Sequence, residues 1–86
     1  MRRSKTLSVA TIKARETLDE ISAKGFDDVP VGVVIEQADA GRFDLHVSTQ
    51  VQNRPGSESI RDVTVSVLNG KGRELQRFTM ILLREF

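Results

Sequence analysis

Residues 4–25 read SKTLSVATIKARETLDEISAKG, and the reading of this stretch decides the fold. Leu7, Ala10, Thr11, Ala14, Leu18 and Ile21 recur at steps of three and four, which places them on one face of a 3.6-residue helix. Lys13, Arg15, Glu16, Asp19, Glu20 and Lys24 fall largely elsewhere and stay in water, while Val9 and Ile12 sit off the centre of the stripe. Ser4 or Thr6 is the expected N-cap, because a hydroxyl accepts from an orphan backbone N–H. Gly25 is the expected stop, since glycine takes the left-handed conformation that closes many helices. Lys24 suits the negative end of the helix dipole. At 1.5 Å per residue the predicted helix is roughly 30 Å long. Within the chain it can bury its stripe only against residues 26–86, and its extra apolar and small positions are also compatible with meeting partner helices.

That remainder reads as strand and turn. Residues 25–30, GFDDVP, form a linker: Pro30 holds Val29 extended, so the helix cannot run through it. Phe26 is expected to fold back and plug the end of the core. Residues 31–37, VGVVIEQ, are a β-rich run, and residues 38–42 are a turn carrying Gly41. Residues 43–52 alternate. Phe43, Leu45, Val47, Thr49 and Val51 face one way, and Asp44, His46, Ser48, Gln50 and Gln52 face the other, the pattern of an antiparallel strand with one dry face. Residues 53–59, NRPGSES, carry a Pro-Gly turn signal. Residues 60–68 give a third strand with Val63, Val65 and Val67 inward. Asn69-Gly70-Lys71-Gly72 is a hairpin turn, and residues 74–84 are the fourth strand. Its end, Met80-Ile81-Leu82-Leu83, is apolar on both faces, which implies either a bulge that changes register or an outer face that meets another surface.

The expected architecture is therefore α+β: one N-terminal amphipathic helix (residues 4–25) packed on a four-stranded antiparallel sheet of two hairpins (residues 31–86), in a single domain spanning residues 1–86. Eighty-six residues leave room for one modest core. A formal net charge of +1 supplies no field that would draw the chain to nucleic acid or an anionic membrane. There is no cysteine, hence no disulfide. With no tryptophan or tyrosine and four phenylalanines, base stacking is poorly supplied. No run of eighteen apolar residues is present, and MRRSKTLSVA has the charge of a signal peptide's first part without its apolar stretch.

No constellation carries chemistry. Gly70-Lys71-Gly72 lacks the upstream glycine and following helix of a phosphate loop. His46 is the only histidine and falls on the predicted wet face, with no ligands spaced to join it. Asp19-Glu20 point apart on a helix, and Asp27-Asp28 lack the further oxygen ligands that calcium requires. Arg2, Arg3 and Lys5 are a basic cluster too small for a nucleic-acid interface. The expectation is a binding or assembly part and not an enzyme, with no catalytic residue, cofactor, metal, nucleic acid or small-molecule substrate.

The order of these segments resembles a known family. Residues 14–32, ARETLDEISAKGFDDVPVG, resemble the helix exit of type IV pilin-like proteins, especially minor pilins of the V class and type II secretion minor pseudopilins of the I class. In these proteins a small-residue helix passes through a Leu-Glu-rich turn to a Gly-aromatic segment and a Pro-x-Gly. Residues 60–67, IRDVTVSV, are similar to their central strand, a basic residue followed by alternating valines and threonines. The glycine hairpin at residues 69–72 and the closing apolar strand at residues 78–83 are similar too. The likeness spans nearly the whole chain and rests on the order of motifs, each of which is weak alone.

The resemblance implies a structural subunit of a type IV pilus or type II secretion pseudopilus, in particular a minor tip or priming subunit. Its partners would be other pilin or pseudopilin subunits. It implies the periplasmic face of the bacterial inner membrane, with a short leader, a peptidase cut and an apolar half-helix that are not in this sequence and would lie ahead of it. A cytoplasmic ATPase drives assembly in that family. The implied assembly interface is Leu7, Ala10 and Ala14 on the helix stripe and Met80, Ile81, Leu82 and Leu83 on the last strand, with either Ile81 and Leu83 or Met80 and Leu82 outward. The competing expectation is a small intracellular, cytoplasmic interaction or inhibitor protein, such as a phage-encoded one, complete as written.

Overall fold

The computed structural model describes residues 2–38, 41 and 43–84, with side chains from Leu7 onward. It is an α+β fold in which one helix, α1 (Arg2–Lys24), lies on a four-stranded antiparallel sheet. The strands are β1 (Gly32–Gln37), β2 (Leu45–Asn53), β3 (Ile60–Asn69) and β4 (Glu74–Leu83), in the spatial order 1-2-3-4 of a simple meander. α1 begins at Arg2, two residues before the expected start, so Ser4 and Thr6 lie within the helix and are not its caps; their side chains fall outside the described residues.

The helix ends where glycine permits. Gly25 has φ 80°, and its N–H donates to the Ile21 carbonyl at 3.1 Å, closing the last turn. Thr11 and Thr17 each return their hydroxyl to the carbonyl four residues back, at 2.9 and 3.1 Å, and so fit a helix interior without orphaned polar atoms.

The core is the dry face of the alternation. Leu45, Val47 and Val51 on β2 and Val63, Val65 and Val67 on β3 are buried against Ala10, Ala14 and Ile21 of the helix. The three β3 valines are fully enclosed, each contributing about 1.5–3 kcal/mol relative to an exposed side chain. The register explains why they stack: Val47 sits opposite Val67, Thr49 opposite Val65 and Val51 opposite Val63. Ala10 and Ala14 are small, so the helix comes down close to the sheet at its middle. Phe26 folds back as expected and is buried, and Val29 beside it is buried too.

The last hairpin differs from a two-residue Asn-Gly turn. Gly70 is not left-handed; Gly72 is, with φ 83°. The Gly72 N–H donates to the Asn69 carbonyl at 2.9 Å, and Asn69 and Arg73 close the loop at 2.8 Å. This is a three-residue loop with a left-handed glycine at its end. The Asn69 side-chain oxygen accepts from the Lys71 and Arg73 N–H groups, which fixes the tip. The register shift beyond the turn falls at Val67/Leu68, opposite Glu74 and Gln76. No bulge lies at residues 80–83, where pairing runs unbroken from Val63↔Met80 to Ile60↔Leu83.

Candidate assembly surfaces

Because the pairing of β4 is unbroken from Gln76 to Leu83, its apolar end sorts cleanly by face. Leu82 is buried and Met80 half-buried against the core, while Ile81 and Leu83 point away from the helix and are 51% and 63% exposed. Of the two pairings left open by the sequence, Ile81 and Leu83 are the outward one. On the helix, Ala10 and Ala14 are enclosed by the chain's own sheet, so no side-chain surface remains on them for a partner. Leu7 is partly free at 38% exposure, and Ile12, on the opposite side, is exposed. On the helix and the last strand, the large apolar side chains open to a partner are thus Leu7, Ile12 and the Ile81/Leu83 pair.

Between the helix exit and the end of β4 sits a cluster that spacing alone does not reveal. Arg61, first of the alternating β3 residues on the helix side, turns its guanidinium under the linker. One of its nitrogens, Nη1, donates to the Phe26 carbonyl at 2.6 Å and to the Val29 carbonyl at 2.7 Å. Its Nε donates to Asn53 Oδ1 at 3.2 Å, and the guanidinium carbon lies 4.0 Å from the Phe26 ring centroid. Arg84 approaches the same ring at 4.9 Å and makes a loose 4.0 Å pair with Asp27. A planar fork that donates and stacks together is a role arginine fills and lysine does not. The cluster pins the linker and so sets where the helix lies relative to β4.

A second surface is β1. α1 packs mainly on β4 and β3, touches β2 and stands clear of β1. All six residues of β1 are exposed, and with the preceding Val31 they carry four large apolar side chains, Val31, Val33, Val34 and Ile35, at 51–61% exposure. A shallow open cavity of about 180 Å³ runs between the helix and this strand, with Ile21, Val29, Val47 and Val51 along its walls. The sequence marks 31–37 as β-rich; it does not mark it as bare, because that depends on where the helix is laid.

Polar pairs elsewhere tie the sheet's edges and turns. Arg54 donates to both oxygens of Asp62, at 3.3 and 2.7 Å, which holds the Arg guanidinium above its ordinary value, through the hydrogen bond first and the charge second. The Arg77 Nε donates to Glu74 Oε1 at 2.9 Å; that bond, then one from Ser66, holds the Glu74 carboxyl below the usual carboxylate range. His46 Nε2 lies 3.3 Å from Asp44 on the face away from the helix. Among the described residues no three metal-ligating side chains converge, and no helix is long and apolar enough to cross a membrane.

Comparison with protein-family models, with curated proteins and with solved structures finds no match to this chain.

Proposed function

We propose that this chain is a non-catalytic structural subunit of a pilin-like filament, a type IV pilus or a type II secretion pseudopilus, and acts there as a minor tip or priming subunit through protein–protein contacts. The observation that carries the reading is the single 23-residue helix laid along one face of an antiparallel 1-2-3-4 meander, with an arginine-pinned Gly-Phe-Asp-Asp-Val-Pro linker between them. Order and composition of the segments support it: helix, left-handed Gly25, proline linker, alternating valine strand, glycine hairpin, apolar last strand.

On this reading the work is mechanical. The helix and sheet move as one body because Ala10, Ala14, Ile21 and the β3 valines share a core. The outward pair Ile81 and Leu83, next to the helix exit, meets a sibling subunit. The subunit resides at the periplasmic face of the inner membrane until it enters the filament.

The test is co-expression of the full open reading frame with candidate minor pilin or pseudopilin subunits from the same genome, followed by pull-down. Ile81→Asp with Leu83→Asp is expected to leave the far-UV spectrum and urea midpoint close to wild type while sibling capture is lost. Undiminished capture by the folded variant would remove this surface. An open reading frame with no leader and apolar stretch of about 20 residues ahead of Arg2 would remove the filament reading itself.

A further inference from the structure

The hydrogen-bond phase of the sheet shows which backbone groups of β1 are spoken for. The Ala38 N–H donates to the Leu45 carbonyl at 2.8 Å, and Ala38 and Leu45 are in register with the β1–β2 ladder. In an antiparallel pair, hydrogen-bonded and non-bonded residues alternate. Gly32, Val34 and Glu36 therefore turn their N–H and C=O toward β2. Val33 and Ile35 turn theirs to the open edge, where no described residue meets them. Among the described residues β1 has few of the usual edge protections: no lysine, no bulge and no helix above it, a single charge at Glu36, and its nearest proline outside the strand at Pro30.

We infer that β1 is a homotypic docking edge, on which β1 of a second copy of this chain pairs antiparallel about a two-fold axis at Val34 to give a continuous eight-stranded sheet. The occupant is argued from self-complementarity. With the axis at Val34, Val33 meets the partner's Ile35, Ile35 meets the partner's Val33, and these two pairs are the ones whose backbone groups face the edge. Val34 meets its own copy. Glu36, the only charge on the strand, is placed opposite the partner's Gly32 and not opposite itself. Gly32 has open space where a side chain would stand, so the carboxylate has room, and Lys24 lines the cavity beside that glycine. Isologous contacts of this kind close at two copies and do not propagate. One strand edge offers less than the roughly 800 Å² per partner of a standard interface, so the dimer is reversible and concentration-dependent. The pairing rests on edge geometry and is independent of the filament reading.

The chain has no cysteine, so single cysteines report the register directly. Val34→Cys would sit across the axis as a non-hydrogen-bonded pair with Cα atoms about 4.5 Å apart, inside the disulfide range. Under mild oxidation it is expected to give a covalent dimer at least about tenfold faster than Val33→Cys or Ile35→Cys, whose sulfurs lie diagonally. Leu83→Cys on the opposite edge should stay monomeric. Sedimentation of the unmodified chain between about 10 µM and 1 mM should show mass rising toward a dimer, the range expected of a small interface. Val33→Lys with Ile35→Lys should hold it at monomer mass with unchanged secondary structure. Fastest capture at Ile35→Cys would overturn the register, and equal rates at all four positions or a strictly monomeric chain would overturn the pairing.

Discussion

Arg61→Ala is the perturbation that probes the link between helix and sheet most directly. The guanidinium makes two short bonds from one nitrogen, at 2.6 and 2.7 Å, to carbonyls 35 and 32 residues away in sequence. Bonds from a charged donor contribute about 1.5–3 kcal/mol each in mutational series. Stacking on an aromatic face adds about 0.5–1 kcal/mol at a partly exposed site. The site is half-buried, so water recovers part of the loss, and the expected cost is about 2–4 kcal/mol. At about 0.05–0.15 kcal/mol per residue, 86 residues carry roughly 4–13 kcal/mol in total, so this one side chain holds a large share. Thermal unfolding followed by circular dichroism should show Tm falling by roughly 10–25 °C. Arg61→Met, which keeps the contact with Phe26 but not the donors, should fall between the alanine variant and wild type. Native-state hydrogen exchange should localise the effect, with amides at residues 21–25 losing protection before those of β2 and β3. If Arg61→Ala unfolds within about 0.5 kcal/mol of wild type, the range of an ordinary surface change, the clamp is decorative and the linker is held by Phe26 and Val29 alone.

Three further outcomes rest on the same geometry. Leu82→Asp should prevent folding or cost more than about 3 kcal/mol, because it buries an unpaired charge, whereas Ile81→Asp, one residue away and 51% exposed, should shift the urea midpoint little. Ala14→Leu should cost about 1–3 kcal/mol by prying the helix from the sheet, read as a lower midpoint with α1 still helical; an unchanged midpoint would mean that the helix slides freely. The Glu74 carboxyl is held below its ordinary 4.5, so its contribution is present above that pH and is lost as pH falls through the lowered folded value. Glu74→Gln should therefore flatten the acid limb of the stability curve below about pH 4.5, and parallel acid limbs for the two proteins would contradict the assignment.

Much of the fold is legible in local pattern. The alternation Leu45, Val47, Thr49, Val51 and the valines 63, 65 and 67 select strands and their dry face, since side chains on a strand change face at every residue. The spacing of Ala10, Ala14, Leu18 and Ile21 selects the helix, and Gly25 its end. Those choices depend on a few neighbouring residues, so spacing is enough to make them. The apolar end of β4 is legible as doubly apolar but not by face, because its sorting depends on a register set by a bulge at the far end of the hairpin. The loop tip likewise turns on Gly72 and not on the Asn-Gly pair, since the closing bonds run between strands. Arg61 carries a signal only as a basic residue ahead of a valine run; its acceptors lie more than thirty residues upstream, where no periodicity connects them. The bare β1 is the plainest case. Nothing in VGVVIEQ says whether a helix covers it. That was decided when α1 settled on β3 and β4, where Arg61 holds its exit and the half-buried Phe78 and Met80 offer a wider apolar floor than Val34 and Glu36 do, a balance summed over contacts distant in the chain.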